Sequence, residues 1–190
     1  MDCIASGDTV SGILRMLETR LSPSRRNHSL AVAELARSMC GSAGVDPTRG
    51  YVAGLAHDLA REMNSRDLLR LAARRQACSP LELAQPVLVH GRAAAALVNA
   101  ELGLEDEEIL LALEDHVTGR PAMGTLSRIV FVADFLEPGR KMISPAFRLR
   151  AGRLTLEGQV VLVLEQVFAW LRANKRPIAP AALQLYKELR

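Results

Sequence analysis

The 190-residue sequence has few aromatic residues, and this shortage constrains how its core can be built. Aromatic residues make up 4% of the chain although 49% of it is hydrophobic, so the core must consist mainly of leucine, alanine and valine. Those residues suit helices, and few segments alternate between polar and apolar residues as strands do. The sequence therefore predicts an all-α fold.

Cysteines and long apolar runs are scarce as well. The three cysteines, Cys3, Cys40 and Cys78, are far apart, so they provide neither a disulfide framework nor a thiolate metal site. This usage is typical of a reducing compartment. No stretch approaches the ~20 apolar residues that span a bilayer, and no signal-peptide core is present at the N-terminus. We therefore expect a soluble, cytoplasmic protein without a membrane partner.

Neither sign of charge predominates. The net charge is only +3, with a pI of about 9.0, and the basic residues, almost all arginine, are scattered along the chain. A dispersed excess of this size is typical of an ordinary solvated surface, so charge gives little support for a nucleic-acid partner. The length fits one domain, and neither a repeat nor a low-complexity linker divides it.

Helical patterns cover most of the chain. Some ends are marked, since Asp46-Pro47 is typical of a capped helix start and Gly103 of a helix end. The two C-terminal helices are expected to cover the core, with Phe168 and Trp170 as bulky anchors. The predicted helices span residues 9–21, 27–40, 47–61, 65–77, 90–102, 106–116, 124–136, 156–173 and 180–189.

Histidines are rare too, and all four are placed where a buried site could use them. His28 and His116 continue the apolar stripes of their helices, so both are predicted to point inward. His90 begins a helix, and His57 lies among small and apolar residues. Taken singly, an inward histidine is more often a hydrogen-bonded core residue than a ligand, and His90 alone is compatible with a cap or a surface residue.

Two aspartates lie in apolar surroundings. Asp134 falls within the run VFVADF, where a carboxylate loses solvation unless it is paired or binds a cation. A buried salt bridge to an arginine is the alternative interpretation. Asp58 directly follows His57, and the small residues around the pair permit close approach to a metal.

The six residues together form the pattern H…HD…H…H…D. Imidazole nitrogens and carboxylate oxygens without thiolates favour iron or manganese over structural zinc. Six ligands exceed what one catalytic metal with open positions requires, so the pattern favours two divalent metals that share Asp58. Two such metals activate a water molecule and bind both the attacking and the leaving oxygen of a phosphoryl transfer.

The motifs around these residues resemble those of the HD superfamily and, more narrowly, its YqeK-type branch of symmetrical bis(5'-nucleosyl)-tetraphosphatases. The similarity extends over nearly the whole chain. A bare H…HD…D pattern is shared by many HD enzymes, whereas HxTGRPxM combined with ADxxEPxR is much more specific. The segments that carry the resemblance are residues 25–28 (RRNH), 56–62 (AHDLARE), 89–91 (VHG), 116–123 (HVTGRPAM) and 133–140 (ADFLEPGR).

This resemblance implies an HD-domain helical bundle with a metal site in its core. Residues 1–190 would form a single HD domain, with a metal-binding core at about 23–140 and covering helices at about 141–190. The implied cofactors are two divalent metal ions, iron before manganese or another metal. The implied ligands are His28, His57, Asp58 and Asp134 for one metal, and His90, His116 and the shared Asp58 for the other.

The implied reaction is hydrolysis of a dinucleoside polyphosphate, diadenosine tetraphosphate, to two ADP by a metal-activated hydroxide. Catalytic roles fall to Asp58 and Arg61. Arg61 stands where the family usually has lysine, Val117 replaces the usual threonine, and residues 141–145 diverge from the family pattern. The candidates for phosphate binding are Arg25, Arg61, Thr118, Arg120 and Arg140.

Two other classes of function share much of this pattern. Another HD enzyme, such as a nucleotidase or a dNTP triphosphohydrolase, would use the same metals but release phosphate or triphosphate. A nucleotide-sensing module that has lost catalysis is the second alternative, although an intact ligand set argues against it. A homodimer is compatible with the sequence, which has no feature that demands one.

Overall fold

The computed structural model describes residues 7–190, which form eleven α-helices and one short 3-10 helix, without a strand. The predicted all-α class is therefore confirmed. Cys3 lies outside the described residues. The elements are α1 (Gly7–Arg20), α2 (Pro23–Ala43), α3 (Pro47–Ala56), α4 (Ser65–Ala72), α5 (Pro80–Ala84), the 3-10 helix (Pro86–Val89), α6 (His90–Leu102), α7 (Glu107–Asp115), α8 (Thr125–Leu136), α9 (Pro145–Ala151), α10 (Leu156–Ala173) and α11 (Pro180–Glu188).

Polar side chains determine where many of the helices begin. The Asp46 carboxylate accepts a hydrogen bond from the Thr48 N–H, and Pro47 occupies the first position of α3, as predicted. Gly103 ends α6 with a φ of 64°, a left-handed conformation that glycine adopts without strain. The side chains that cap a first turn in the same way as Asp46 are those of Ser22, Asn64, Ser79, Asp106, Ser144 and Thr155.

The predicted ranges 47–61 and 65–77 are too long. Helix α3 ends at Ala56, and the chain after it forms tight turns. Helix α4 ends at Ala72. Sequence analysis also missed α5, α9 and the 3-10 helix, because segments of 5, 7 and 4 residues are too short for a helical period to be recognised. No helix in the described part of the chain is long and apolar enough to cross a membrane.

Helices α2 and α3 pack closely because small residues line the contact between them. A Cβ atom at Gly54 would lie 2.5 Å from the Cα of Ala33, and one at Gly50 would lie 2.8 Å from the carbonyl oxygen of Ala36. Backbone atoms cannot yield to such contacts as a flexible side chain can. This approach sets the position of the turn that follows α3, and with it the position of His57 and Asp58.

Helix α8 is buried on two sides and joins two hydrophobic clusters. Ile129 and Val130 pack into the larger cluster with α1–α4, α6 and α7, whereas Phe131 and Leu136 pack into a second cluster with α10 and α11. Phe168 is buried in the second cluster, as predicted. Trp170 was wrongly predicted to be an anchor, because its residue surface is 59% exposed on the outer side of α10.

We expect Gly54→Ala to lower the free energy of unfolding by at least about 1–3 kcal/mol, because the added methyl group must push α3 away from the backbone of α2. Denaturant unfolding measures the change. Gly41→Ala is the matched control, because a Cβ there would make only an ordinary contact at 3.9 Å with Pro47. That substitution should be neutral or should stabilise α2 by up to about 1 kcal/mol, and equal losses in both variants would contradict the prediction.

Candidate metal centre

The six predicted ligands meet at one place in the fold. His28 lies on α2, His57 and Asp58 lie in the turn after α3, and Asp134 lies on α8. His90 begins α6, and His116 follows the last residue of α7. Their donor atoms form three overlapping groups within 4.8 Å, namely His28–His57–Asp58, His57–His116–Asp134 and Asp58–His90–His116.

Asp58 lies between two pairs of histidines. Its Oδ2 is 3.5 Å from Nε2 of His57 and 3.8 Å from Nε2 of His28. Its Oδ1 is 3.0 Å from Nε2 of His90 and 3.9 Å from Nε2 of His116. Each carboxylate oxygen therefore faces a different pair of imidazoles.

Asp134 completes the side of the cluster that contains His28 and His57. Its Oδ1 is 2.9 Å from Nε2 of His28 and 3.8 Å from Nε2 of His57. The side chain is 21% exposed, compared with 5% for Asp58. The cluster is thus closed at Asp58 and partly open to solvent at Asp134.

Three of the histidine rings are held by the same kind of hydrogen bond to the backbone. Each follows the last residues of a helical segment, and its Nδ1–H donates to the carbonyl oxygen three residues earlier. Because a carbonyl can only accept, the proton must reside on Nδ1. The pairs are His57 with Gly54 (2.7 Å), His90 with Val87 (2.6 Å) and His116 with Leu113 (2.7 Å).

This arrangement explains why α3 is shorter than predicted. A continuous helix would separate His57 and Asp58 by about 100° around its axis. Instead the backbone tightens after Ala56, with the N–H of Leu59 donating to the Ala56 carbonyl and the N–H of Arg61 donating to the Asp58 carbonyl. The turn directs both side chains into the cluster.

The protonated Nδ1 atoms leave the Nε2 atoms as bare lone pairs that face one another. Nε2 of His90 lies 3.0 Å from Nε2 of His116, a contact between two acceptors when both rings are neutral. Nε2 of His28 and of His57 are buried and have no hydrogen-bond partner in the described part of the chain. Neutral imidazoles with lone pairs aimed at two carboxylates are the ligands of a cation, so this donor set fits divalent metal binding.

Burial and neighbouring charges shift the pKa values of the cluster in different directions. Burial alone would lower the pKa of His57, but Asp58 and Asp134 outweigh it and raise that pKa. Burial, together with His90 and His57, lowers the pKa of His116 to about 3, so this ring is neutral near pH 7. Burial alone would raise the pKa of Asp58, but its contacts with His57 and His90 outweigh burial and hold that pKa well below its usual range. Asp58 is therefore ionised.

Two of the predicted phosphate-binding arginines contact the carboxylates of the cluster. Nη1 of Arg25 donates to Oδ2 of Asp58 at 2.8 Å. Nη2 of Arg140 donates to Oδ1 of Asp134 at 2.5 Å, and its Nε donates to the Asp134 backbone carbonyl at 2.6 Å. The side chain of Arg61, one turn after Asp58, is partly exposed and forms no hydrogen bond or ion pair with the described residues.

The other two predicted substrate-binding residues lie in the wall of a separate cavity. Thr118 and Arg120 line a space of about 600 Å³ that also touches α5 and the start of α11, and none of the six cluster residues lines it. Nε of Arg120 donates to the buried Asp115 at 2.8 Å. The structure thus does not bring Thr118 and Arg120 together with the metal-type donors.

Sequence analysis missed one residue of the site, Glu137. Its side chain is 4% exposed, and its Oε1 accepts a hydrogen bond from Nδ1 of His28 at 3.2 Å. The available signal was its place in the ADxxEPxR motif, which by itself assigns no contact to this carboxylate. All four histidines therefore have an acceptor at Nδ1.

We expect divalent metal to raise the melting temperature of this protein, because the folded state alone assembles the six donors. At about 100 times the dissociation constant, binding adds about 2.7 kcal/mol of stability. For a chain of this size, that corresponds to roughly 5–10 °C. Asp58→Asn should remove most of the shift, as measured by thermal unfolding with Mn²⁺ and with a chelator.

Asp67→Asn is the matched control, because Asp67 lies on α4, near the cap of that helix and away from the cluster. Its metal-induced shift should equal that of the wild type. A full shift in Asp58→Asn would show that the metal binds elsewhere.

Comparisons with known proteins find relatives that are similar over nearly the whole chain. A bis(5'-nucleosyl)-tetraphosphatase, symmetrical, from Halalkalibacterium halodurans is 28% identical over 176 residues, covering 93% of this chain and 94% of the relative. The protein of the same name from Bacillus subtilis is 26% identical over 176 residues, covering 93% of this chain and 95% of the relative.

A solved structure from Clostridium acetobutylicum, described as a predicted HD superfamily hydrolase involved in NAD metabolism, is also similar. It superposes with a TM-score of 0.89 at 25% identity, covering 95% of this chain and 96% of that chain. Residues 25–139 match the HD domain family, and all six donors of the cluster fall within that span. The chain belongs to the HD domain family.

Proposed function

We propose that this protein hydrolyses diadenosine tetraphosphate symmetrically to two ADP with the help of two divalent metal ions. The observation that carries the proposal is the position of Asp58, whose two oxygens face two separate pairs of imidazoles. The substrate follows from the names of two relatives that cover more than nine tenths of this chain. Hydrolysis of a phosphoanhydride bond is a reaction that two adjacent metals assist.

The proposed ligand sets follow the distances around Asp58. His28, His57, Asp58 and Asp134 would hold one ion, and His90, His116 and the shared Asp58 would hold the other. When bound, the two ions lower the pKa of a water molecule and neutralise charge on the phosphoryl oxygens. We propose iron for both positions, since imidazole and carboxylate donors without thiolates suit it, with manganese as the alternative.

The arginines around the cluster would bind the polyphosphate. Arg25 and Arg140 already lie at the two carboxylates, so their guanidinium groups border the place where phosphate oxygens would approach. Arg61 has no partner among the described residues, which leaves its donors available for a phosphate. Guanidinium groups form paired hydrogen bonds with phosphate and carry a permanent positive charge.

The symmetrical product requires cleavage at the central bridge of the tetraphosphate. Oxygen from water bonds to one of the two inner phosphorus atoms while the bond from that atom to the central bridging oxygen breaks. Each half then leaves as ADP. Arg25 and Arg140 lie on the two carboxylates rather than on the same one, so we propose that they bind phosphates on opposite sides of the scissile bond.

The proposed domain is a single HD domain over residues 1–190. The metal-binding part, at about 23–140, contains every donor of the cluster. The C-terminal part, at about 141–190, would cover α8 through the second hydrophobic cluster. Thr118 and Arg120 stay in the proposal as substrate-binding residues for a part of the nucleotide beyond the metals, since both line the neighbouring cavity.

The first test is a product analysis with diadenosine tetraphosphate under reducing conditions, with the metal retained. We expect ADP as the sole product from the wild type, and no turnover from Asp58→Ala because both ions lose a shared ligand. Chromatography of the nucleotides separates the outcomes. ATP plus AMP would contradict the symmetrical cut, and turnover only of mononucleotides or dNTPs would indicate another HD hydrolase.

A second test uses Arg61, which follows Asp58 by one turn and forms no hydrogen bond or ion pair with the described residues. We expect Arg61→Gln to lower kcat/KM by about tenfold or more, because a hydrogen bond to a charged group contributes about 1.5–3 kcal/mol. Mn²⁺ affinity should not change. Arg66→Gln, an exposed position on α4, is the control, and an unchanged kcat/KM in Arg61→Gln would remove Arg61 from the proposed site.

A further inference from the structure

His28 differs from the other three histidines in how its ring is held. It lies inside the second turn of α2, where the nearby backbone carbonyls already accept helical hydrogen bonds. The other three rings follow helical segments, and each Nδ1–H donates to a backbone carbonyl near the end of its own segment. His28 therefore needs an acceptor from elsewhere in the chain, and Glu137 supplies it across the gap between α2 and the end of α8.

Both oxygens of Glu137 accept hydrogen bonds from different donors. Oε1 faces Nδ1 of His28 at 3.2 Å, and Oε2 accepts from the N–H of Gly139 at 2.5 Å. A carboxylate can satisfy both donors, whereas an amide of the same shape has one acceptor oxygen. The second bond fixes the carboxylate relative to its own loop, so the loop and the His28 ring are mechanically connected.

Arg148, on α9, holds that loop in place. Its guanidinium donates to four backbone carbonyls between the end of α8 and the start of α9, which no other described arginine does. The Leu136 carbonyl is one of the last of α8, which lacks a helical donor. The four bonds are Nε to Leu136 (2.9 Å), Nη2 to Glu137 (2.8 Å), Nη2 to Arg140 (2.9 Å) and Nη1 to Ile143.

The same loop also carries Arg140, which contacts Asp134. The loop thus reaches the two ligands His28 and Asp134, and both belong to the same proposed metal position. It makes no described hydrogen bond to His90 or His116, which belong to the other position. One structural element therefore acts on one half of the metal centre.

We propose that Glu137 is a positioning residue for His28, and that Arg148 holds the loop from which Glu137 acts. A carboxylate at Nδ1 orients a ligating imidazole and increases its basicity, and loss of such a partner typically lowers metal affinity about 10–100-fold. The inference rests on metal binding in the proposed function and is independent of the substrate.

The test is a titration with Mn²⁺, monitored by the electron paramagnetic resonance of the free ion. We expect Glu137→Gln to weaken one of the two bound ions about 10–100-fold and to leave the other at wild-type affinity. Glu82→Gln is the matched control, because Glu82 also accepts from a backbone N–H and from a side chain, and neither donor belongs to one of the six cluster residues. Its titration should match that of the wild type.

A parallel pair of variants tests the role of the loop. Arg148→Gln should weaken the same ion as Glu137→Gln, with a smaller effect because Glu137 itself remains. Arg128→Gln, which removes an ion pair between α8 and Glu157 of α10, controls for a general loss of stability. Thermal unfolding without metal ranks the four variants by stability, so that affinity and stability can be compared.

Two results would overturn the inference. The first is wild-type affinity for both ions in Glu137→Gln, and the second is an equal weakening of both ions, which a merely structural role would produce. The titration needs no nucleotide, so it is separate from the product analysis. A protein that binds two ions but does not cleave diadenosine tetraphosphate would refute the proposed function and leave this inference standing.

Discussion

The structure of this protein depends on one electrostatic constraint: four imidazole Nε2 atoms and two carboxylates face one another in a largely buried space. Nitrogen lone pairs at 3.0 Å repel when no proton lies between them. Only a rigid backbone, or a cation, can hold them there. The fold supplies the rigidity through hydrogen bonds at Nδ1, and the residual repulsion is what a metal ion would relieve.

The ends of helices, rather than their faces, supply most of this rigidity. Three rings fold back on backbone carbonyls near the ends of helical segments, so one hydrogen bond fixes both the orientation of each ring and its tautomer. The close packing of α3 on α2 through Gly54 sets where one of those ends lies. The packing of α3 on α2 therefore also determines where a histidine of the cluster lies.

The sequence alone was sufficient for the all-α class, for most helices and for the choice of six histidine and aspartate residues that the structure brings together. It was insufficient where the helical period of the apolar residues continues but the backbone or the packing of the folded chain departs from it. The pattern of residues 47–61 continues as a helix, yet the backbone turns after Ala56 to aim His57 and Asp58 together. Trp170 fits an apolar stripe but lies on the outer side of α10, where none of the described helices buries it.

Glu137 was missed for a related reason. Its motif is visible in the sequence, but nothing there indicates that its carboxylate reaches a helix 109 positions earlier in the chain. Contacts of that separation depend on how α2 and α8 pack. Likewise, the sequence does not indicate that Thr118 and Arg120 line a cavity apart from the donors.

The anchors of the four rings differ in how easily a point mutation can remove them. A backbone carbonyl is present whatever side chain a position carries, so exchange of Val87 or Leu113 retains the acceptor for His90 or His116. The acceptor for His28 is a side chain, and a single nucleotide change can delete it. As the sequence diverges, the acceptors of three rings are therefore retained whatever side chains replace Gly54, Val87 and Leu113. The acceptor of His28 is retained only while position 137 keeps its carboxylate.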